Sequence, residues 1–266
     1  MRSILVKAGR DPGMQARLNT ALDLARANDG HVTLLIDTPI DSYVTVDPYG
    51  GTYVAREALD AALADDDALA EAVTLQLQHG DVPFDVIQFE QRPLDAMAAA
   101  AQLADVAIVS RSCGFAGDLA LAVRCPVLAL PDDVALRVPV RKACIAWDGG
   151  DEAAVALRAV APMLAGSGQV HVLTVSSGKG ASASDAGFPS TEALRYLSRH
   201  GIKAELHELE RDNSIEETLL TAAMRLEAEL IALGAFSHSR MRELLFGGVT
   251  RYFLDELKSP PLLLAH

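Results

Sequence analysis

Residues 3–35 read SILVKAGRDPGMQARLNTALDLARANDGHVTLL, and residues 143–175 read ACIAWDGGDEAAVALRAVAPMLAGSGQVHVLTV. Shifted by 140 positions, the two stretches align without a gap. Gly9 meets Gly149, Asp11 meets Asp151, and Ala16, Ala21 and Ala25 meet Ala156, Ala161 and Ala165. His31-Val32 meets His171-Val172. Alanine matches are cheap in an Ala-rich chain, so the Gly, Asp and His-Val matches carry the alignment. Each copy runs from a short aliphatic stretch through a Gly/Asp turn and an Ala/Leu helical stretch to a second aliphatic stretch. That is a β-α-β unit, repeated.

Working outward, the later segments also pair, at other offsets. Asp85–Glu90 corresponds to Ala204–Glu210 as a third strand. Pro93–Ala104 and Ser214–Ala228 read as helices, and Ser214 with Glu217 forms a capping-box pattern. Val106–Ser110 and Leu230–Gly234 are fourth strands; Pro126–Leu130 and Pro261–Ala265 are fifth strands. Strands alternating with helices predict an α/β fold: two tandem doubly wound parallel-sheet domains of five strands each, with right-handed crossovers. The segment Pro131–Pro139 lacks periodicity and carries two prolines, which sets domains at 1–135 and 140–266. Between its second and third strands the first half carries TPIDSYVTVDPYGGTYV (38–54), read as a loop, and then an acidic helix over Ala58–Leu77. The matching segment of the second half, SSGKGASASDAGFPS (176–190), is a Gly/Ser loop.

Composition narrows the classes. Half of the 266 residues are hydrophobic but only 5% are aromatic, and mean hydropathy is +0.18, so a disordered chain is excluded. Formal net charge is -13. Such a chain is repelled by phosphate backbones, which argues against a nucleic-acid partner. Cys113, Cys125 and Cys144 include no CxxC pair, so they make neither a disulfide framework nor a zinc-cysteine site. No apolar run reaches the ~18 residues of a membrane helix, and the stretch after Met1 is too short for a signal peptide. A cytoplasmic protein with no membrane partner is the expectation.

In an open parallel sheet, ligands bind beyond the carboxyl ends of the strands. Two loops of the second half lie there. After the first strand comes Trp147-Asp148-Gly149-Gly150, where an aspartate can accept hydrogen bonds from an adenine amine or a ribose hydroxyl; a turn or helix-cap aspartate is the competing reading. After the fourth strand comes Gly234 through Arg251, with Gly247-Gly248 opening a helix whose N-terminus attracts phosphate. His238, Arg240, Arg242 and Arg251 add donors and positive charge, or form a solvated face.

These residues resemble the nucleotide signature of the universal stress protein family, in its tandem two-domain form. That signature is Gly, two residues, Gly, nine residues, Gly, then Ser or Thr; here it falls on Gly234, Ser237, Gly247 and Gly248. The middle glycine is Ser237, and the final hydroxyl residue is Gly248. The resemblance covers Lys142–His266 strongly and Met1–Pro131 weakly. It implies an adenine-nucleotide α-hydrolase-like fold and a stress-response sensor or regulator that binds ATP or ADP in the C-terminal domain. Asp148 would contact ribose or adenine, and the Val175 backbone would face adenine. Gly234, Ser237, Gly247, Gly248, Val249 and Thr250 would hold the phosphates, with His238 and Arg240 as further phosphate contacts. Thr250 or Ser237 would supply the missing hydroxyl, and Mg2+ would enter only as the counter-ion of the nucleotide. It also implies an unidentified protein partner and a homodimer paired through the C-terminal strand, or the same pairing made between the two halves.

The sequence carries no Walker motif, nucleophile elbow or metal-ligand cluster, so no catalytic residue is assigned. Three alternatives stay open: a nucleotide-independent interaction protein of the same fold, a weak ATPase, and an enzyme of the wider α-hydrolase-like group. The first half is expected to have lost its site. Ala8 stands where the second half has Asp148, and the segment from Ser110 to Pro126 is 11 residues shorter than that from Gly234 to Pro261. The first half through Val138 holds 10 Lys+Arg against 20 Asp+Glu, and the rest 13 against 16, so the first half repels a polyphosphate more strongly. Trp147 borders the candidate pocket or packs at the junction of the halves. His31 and His171 read as structural, Cys144 as a small buried hydrophobe, and Asp65–Asp67 as a solvated helix face.

Overall fold

The computed structural model describes residues 1–46, 52–176, 187–235 and 248–266. In the first half, β1 (Ser3–Lys7), α1 (Met14–Asn28) and β2 (His31–Asp37) form the leading β-α-β unit. They are followed by β3 (Val44–Val46), β4 (Thr52–Val54), α2 (Arg56–Leu77), β5 (Phe84–Phe89), α3 (Pro93–Ala100), β6 (Val106–Ser110), α4 (Ala116–Ala122) and β7 (Val127–Leu130). The second half repeats the plan with β8 (Lys142–Ala146), α5 (Asp151–Val160), β9 (Gln169–Ser176), α6 (Ser190–Arg199) and β10 (Ala204–Glu210). It ends with α7 (Ile215–Arg225), β11 (Leu230–Gly234), α8 (Gly248–Asp255) and β12 (Leu262–Ala265).

All strands but β3 and β4 join one sheet, in the order β10-β9-β8-β11-β12-β7-β6-β1-β2-β5. Within each half every pairing of this sheet is parallel and the order is 3-2-1-4-5, so the doubly wound expectation holds. The halves meet at β12 and β7, which pair antiparallel with Leu263 opposite Leu128. That junction corrects one expectation. β12 is hydrogen-bonded to β11 on one side and β7 on the other, which leaves no edge for a second chain. The two halves make the pairing internally.

Alternation along the buried strands sends side chains to both faces of the sheet. Ile4 and Val6 of β1 join one apolar cluster with Val32, Val172 and Leu263; Leu5 joins the other with Leu35, Val109, Leu173 and Leu264. Each cluster draws on both halves, so the core is continuous across the junction. No helix among the described residues is long and apolar enough to cross a membrane.

Most elements fall within one or two residues of their expected positions. Ser214 caps α7, its Oγ accepting from Glu217 N–H at 3.1 Å. The stretch 38–54 is a correction. It holds a short helical turn at Ile40–Tyr43 and the antiparallel pair β3–β4, with Thr45 opposite Tyr53. The Val-Thr-Val and Thr-Tyr-Val runs flanking DPYGG are a hairpin signal by their β-branched content.

Candidate functional site

The strand order of the second half reverses between β8 and β11. Crevices at such switch points, beyond the carboxyl ends, are where open α/β sheets take ligands. Asp148 follows β8, Val175 nears the end of β9, and Gly234 ends β11. The structure therefore gathers these three from separate parts of the chain onto one rim.

Each has a local reason for its place. Asp148 is exposed, and its Oδ1 accepts from Gly150 N–H at 2.8 Å, ahead of α5. The turn role is thus real and occupies one carboxylate oxygen. Gly149 takes a left-handed φ of 79°, and its carbonyl accepts from Phe188 N–H at 2.7 Å. Trp147 is buried, donating its Nε1–H to Phe188 O at 3.0 Å. The chain at 187–188 thus straps the β8 turn. At Val175 the backbone is the informative part. Leu173 O accepts from Trp147 N–H, so Leu173 turns its polar groups toward β8. Two residues on, Val175 turns its own the same way, beyond the last β8 pairing at Ala146.

Gly234 has a packing role that the motif did not reveal. A Cβ there would lie 2.6 Å from the Glu152 carbonyl carbon and 2.7 Å from Ala153 N. Only glycine lets the end of β11 approach the first turn of α5 so closely. Gly248 opens α8, Val249 is half-buried, and Thr250 is buried. Thr250 lies in the first turn of α8, two residues after Gly248. Ser237, His238, Arg240 and Gly247 lie outside the described residues.

The corresponding crevice of the first half is filled. Arg17 rises from α1 and is 1% exposed. Its Nε–H donates to Lys7 O at 2.7 Å, and two further N–H groups donate to Asp11 Oδ1 and Oδ2, both at 2.7 Å. It also donates to Ser110 Oγ at the end of β6. The guanidinium therefore bridges the ends of β1 and β6, across the first half's own switch point. Beside it, the Lys7 ammonium pairs with Asp37, whose Oδ1 has no hydrogen bond of good geometry. Asp66 accepts from Thr38, and Asp67 from Gln88 Nε2 at 3.2 Å, so part of the acidic run on α2 is tied down rather than merely solvated.

At the 140 shift, Arg17 corresponds to Leu157, which is 3% exposed. The second half packs an apolar side chain where the first carries the plug. The sequence signal was an arginine on the apolar face of an Ala/Leu helix, six residues after an aspartate.

The plug has an acid signature. The Arg17 guanidinium hydrogen-bonded to Asp11 holds its carboxyl below the usual range. A group depressed in the folded state stabilises above its unfolded pKa, ~3.9 for Asp, and loses that contribution as pH falls through the folded value. Asp37 runs the other way, since burial outweighs Lys7 and raises its carboxyl pKa. The stability gap between the natural chain and Arg17→Leu should therefore narrow from pH 7 to pH 3 in urea unfolding. A gap independent of pH would refute the pairing.

The cysteines offer no activated thiolate. Burial pushes Cys113 up, Cys125 up to about 11 and Cys144 up to about 12.

The universal stress protein family model matches residues 139–264. The second half of this chain belongs to that family. The fold of the whole chain is similar to a universal stress protein from Archaeoglobus fulgidus, with a TM-score of 0.72 at 12% identity, over 98% of this chain and 97% of that one. It is similar also to a functionally unknown protein from Pseudomonas aeruginosa, with a TM-score of 0.62 at 18% identity, over 100% and 92%. At these identities the likeness is one of fold. A universal stress protein solved in complex with cAMP aligns with 48% of this chain over 98% of its own, at 17% identity and a TM-score of 0.35. No curated protein matches.

Proposed function

We propose that the second half binds an adenine nucleotide, ATP or ADP, in the crevice between β8 and β11, and serves as a stress-response sensor or regulator. The observation that carries this reading is the asymmetry of the two crevices. The first is sealed by Arg17, whereas the second has Leu157 at that position and an exposed carboxylate on its rim. Membership of the universal stress family supports the same ligand class.

In this reading the chain divides into a sealed domain over 1–135 and a nucleotide domain over 140–266. The Asp148 carboxylate accepts from ribose hydroxyls or the adenine amine through its remaining lone pairs. Backbone N–H and C=O of Val175 pair with the edge of the base. Phosphates lie toward Gly234, Gly247, Gly248 and Val249, with Ser237, His238 and Arg240 as further donors and Mg2+ only as their counter-ion. No base for hydrolysis is assigned among the described residues. The output is a population shift: nucleotide favours one arrangement of the segments flanking the crevice, and another protein reads that surface.

Isothermal titration of the untagged chain with ATP, ADP and AMP tests the proposal. Saturable heat and a raised melting temperature are expected. Asp148→Ala should weaken affinity by about 10- to 100-fold, the loss of a hydrogen bond to a charged group. No heat and no thermal shift at millimolar nucleotide would sink the reading and leave a nucleotide-independent interaction protein. Phosphate release with ATP would move the chain to the ATPases.

A further inference from the structure

The third-strand side of the second half carries a cluster that the nucleotide reading does not use. His171 lies near the start of β9; Glu205 and His207 lie two apart on the neighbouring edge strand β10. Glu205 is directly opposite His171 in the register, and His207 is one step further along the same face. His171 Nδ1 is 3.0 Å from His207 Nε2, and Glu205 Oε2 is 3.8 Å and 3.9 Å from those two atoms. Three potential ligand atoms thus converge from two adjacent strands.

We propose that His171, Glu205 and His207 bind a first-row divalent cation, with Zn2+ the best fit. The distances support it directly. A point equidistant from the three atoms lies about 2.1 Å from each, within the ~2.0–2.2 Å range of Zn–N and Zn–O bonds. An ion displaced slightly outward from their plane gains a fourth position for water. Two imidazoles and one carboxylate form a borderline N/O set that suits Zn2+ and excludes the all-oxygen preference of Mg2+ or Ca2+.

Burial gives the site a closed side and an open side. The side chains of His171, His207 and Glu205 are 7%, 30% and 77% exposed, so an ion enters past Glu205. His171 Nε2 is buried without a hydrogen-bond partner, so the ring makes its polar contacts through Nδ1 alone. The neighbouring cation Lys142 is engaged by Glu227. Among its described residues the first half lacks the constellation. His31 there pairs with Asp85 at 3.2 Å, and β5 carries no histidine.

Equilibrium dialysis of the untagged chain against Zn2+, with metal counted by mass spectrometry, decides the matter. One equivalent per chain is expected, together with a Co2+ visible spectrum of low coordination number. His207→Gln and Glu205→Gln sit on the edge strand and should fold with unchanged circular dichroism. His207→Gln should abolish stoichiometric binding, and Glu205→Gln should weaken it by at least 10-fold. Absence of binding in the natural chain, or undiminished binding in His207→Gln, would overturn the proposal. Asp148→Ala should bind Zn2+ normally, so failure of the nucleotide reading leaves this result intact.

Discussion

Arg17→Ala is expected to lower the unfolding free energy by about 3 kcal/mol, or roughly 6–12 °C in melting temperature for a chain of this size. Removing one partner of a buried ion pair strands the other, at ~3–5 kcal/mol. Asp11 keeps 39% of its side chain exposed, so water recovers part of that and the low end applies. The same change also orphans the Lys7 carbonyl and the Ser110 hydroxyl. Arg17→Lys keeps the charge but lacks the planar fork, so it should fall between. Arg17→Leu with Asp11→Asn should recover most of the loss, because it restores at this position the apolar packing of Leu157. Urea and thermal unfolding followed by circular dichroism measure all of these. A loss below ~0.5 kcal/mol for Arg17→Ala, the level of an ordinary surface change, would show that the guanidinium holds nothing together.

Gly234→Val comes second. Its Cβ would meet the backbone of Glu152 and Ala153, not a flexible side-chain end. Strand β11 and helix α5 are both fixed by the core, so one must shift, at about 2–3 kcal/mol. The crevice rim moves with them, so nucleotide affinity should drop alongside stability. Gly248→Ala is the control, since its added methyl would meet the end of the Glu216 side chain at 3.0 Å, which can swing away. It should change stability by less than ~0.5 kcal/mol. If Gly234→Val melted with the natural chain, the close approach of β11 to α5 would be wrong.

The repeat at 140 residues made the fold legible. Strand and helix order, the parallel sheet and the position of the crevice all follow from two β-α-β units and their continuations. What stayed hidden depends on register and depth. Arg17 reads as one more charge on a helix until α1 is laid against β1 and β6, when it proves to aim inward. Gly234 looked like a phosphate glycine, because a motif records spacing and not what lies behind the backbone. His171 and His207 are 36 residues apart and meet only because β9 and β10 pair in one particular register. The β3–β4 pair within 38–54 has its signal in the β-branched runs, but the Pro, Gly and Asp between them are equally the composition of a loop.

The antiparallel junction has a consequence for synthesis. β12 comes latest in chain order among the ten strands of the sheet, yet it sits at the centre. As the polypeptide leaves the ribosome, the first half is completed with β7 at its border, and every side chain of that strand belongs to the buried core. Until β12 arrives, nearly half the length of the chain later, β7 presents an unpaired apolar edge of the kind that recruits other nascent chains. The molecule is therefore most vulnerable during its own making, and a chaperone that shields β7 would matter most in that interval.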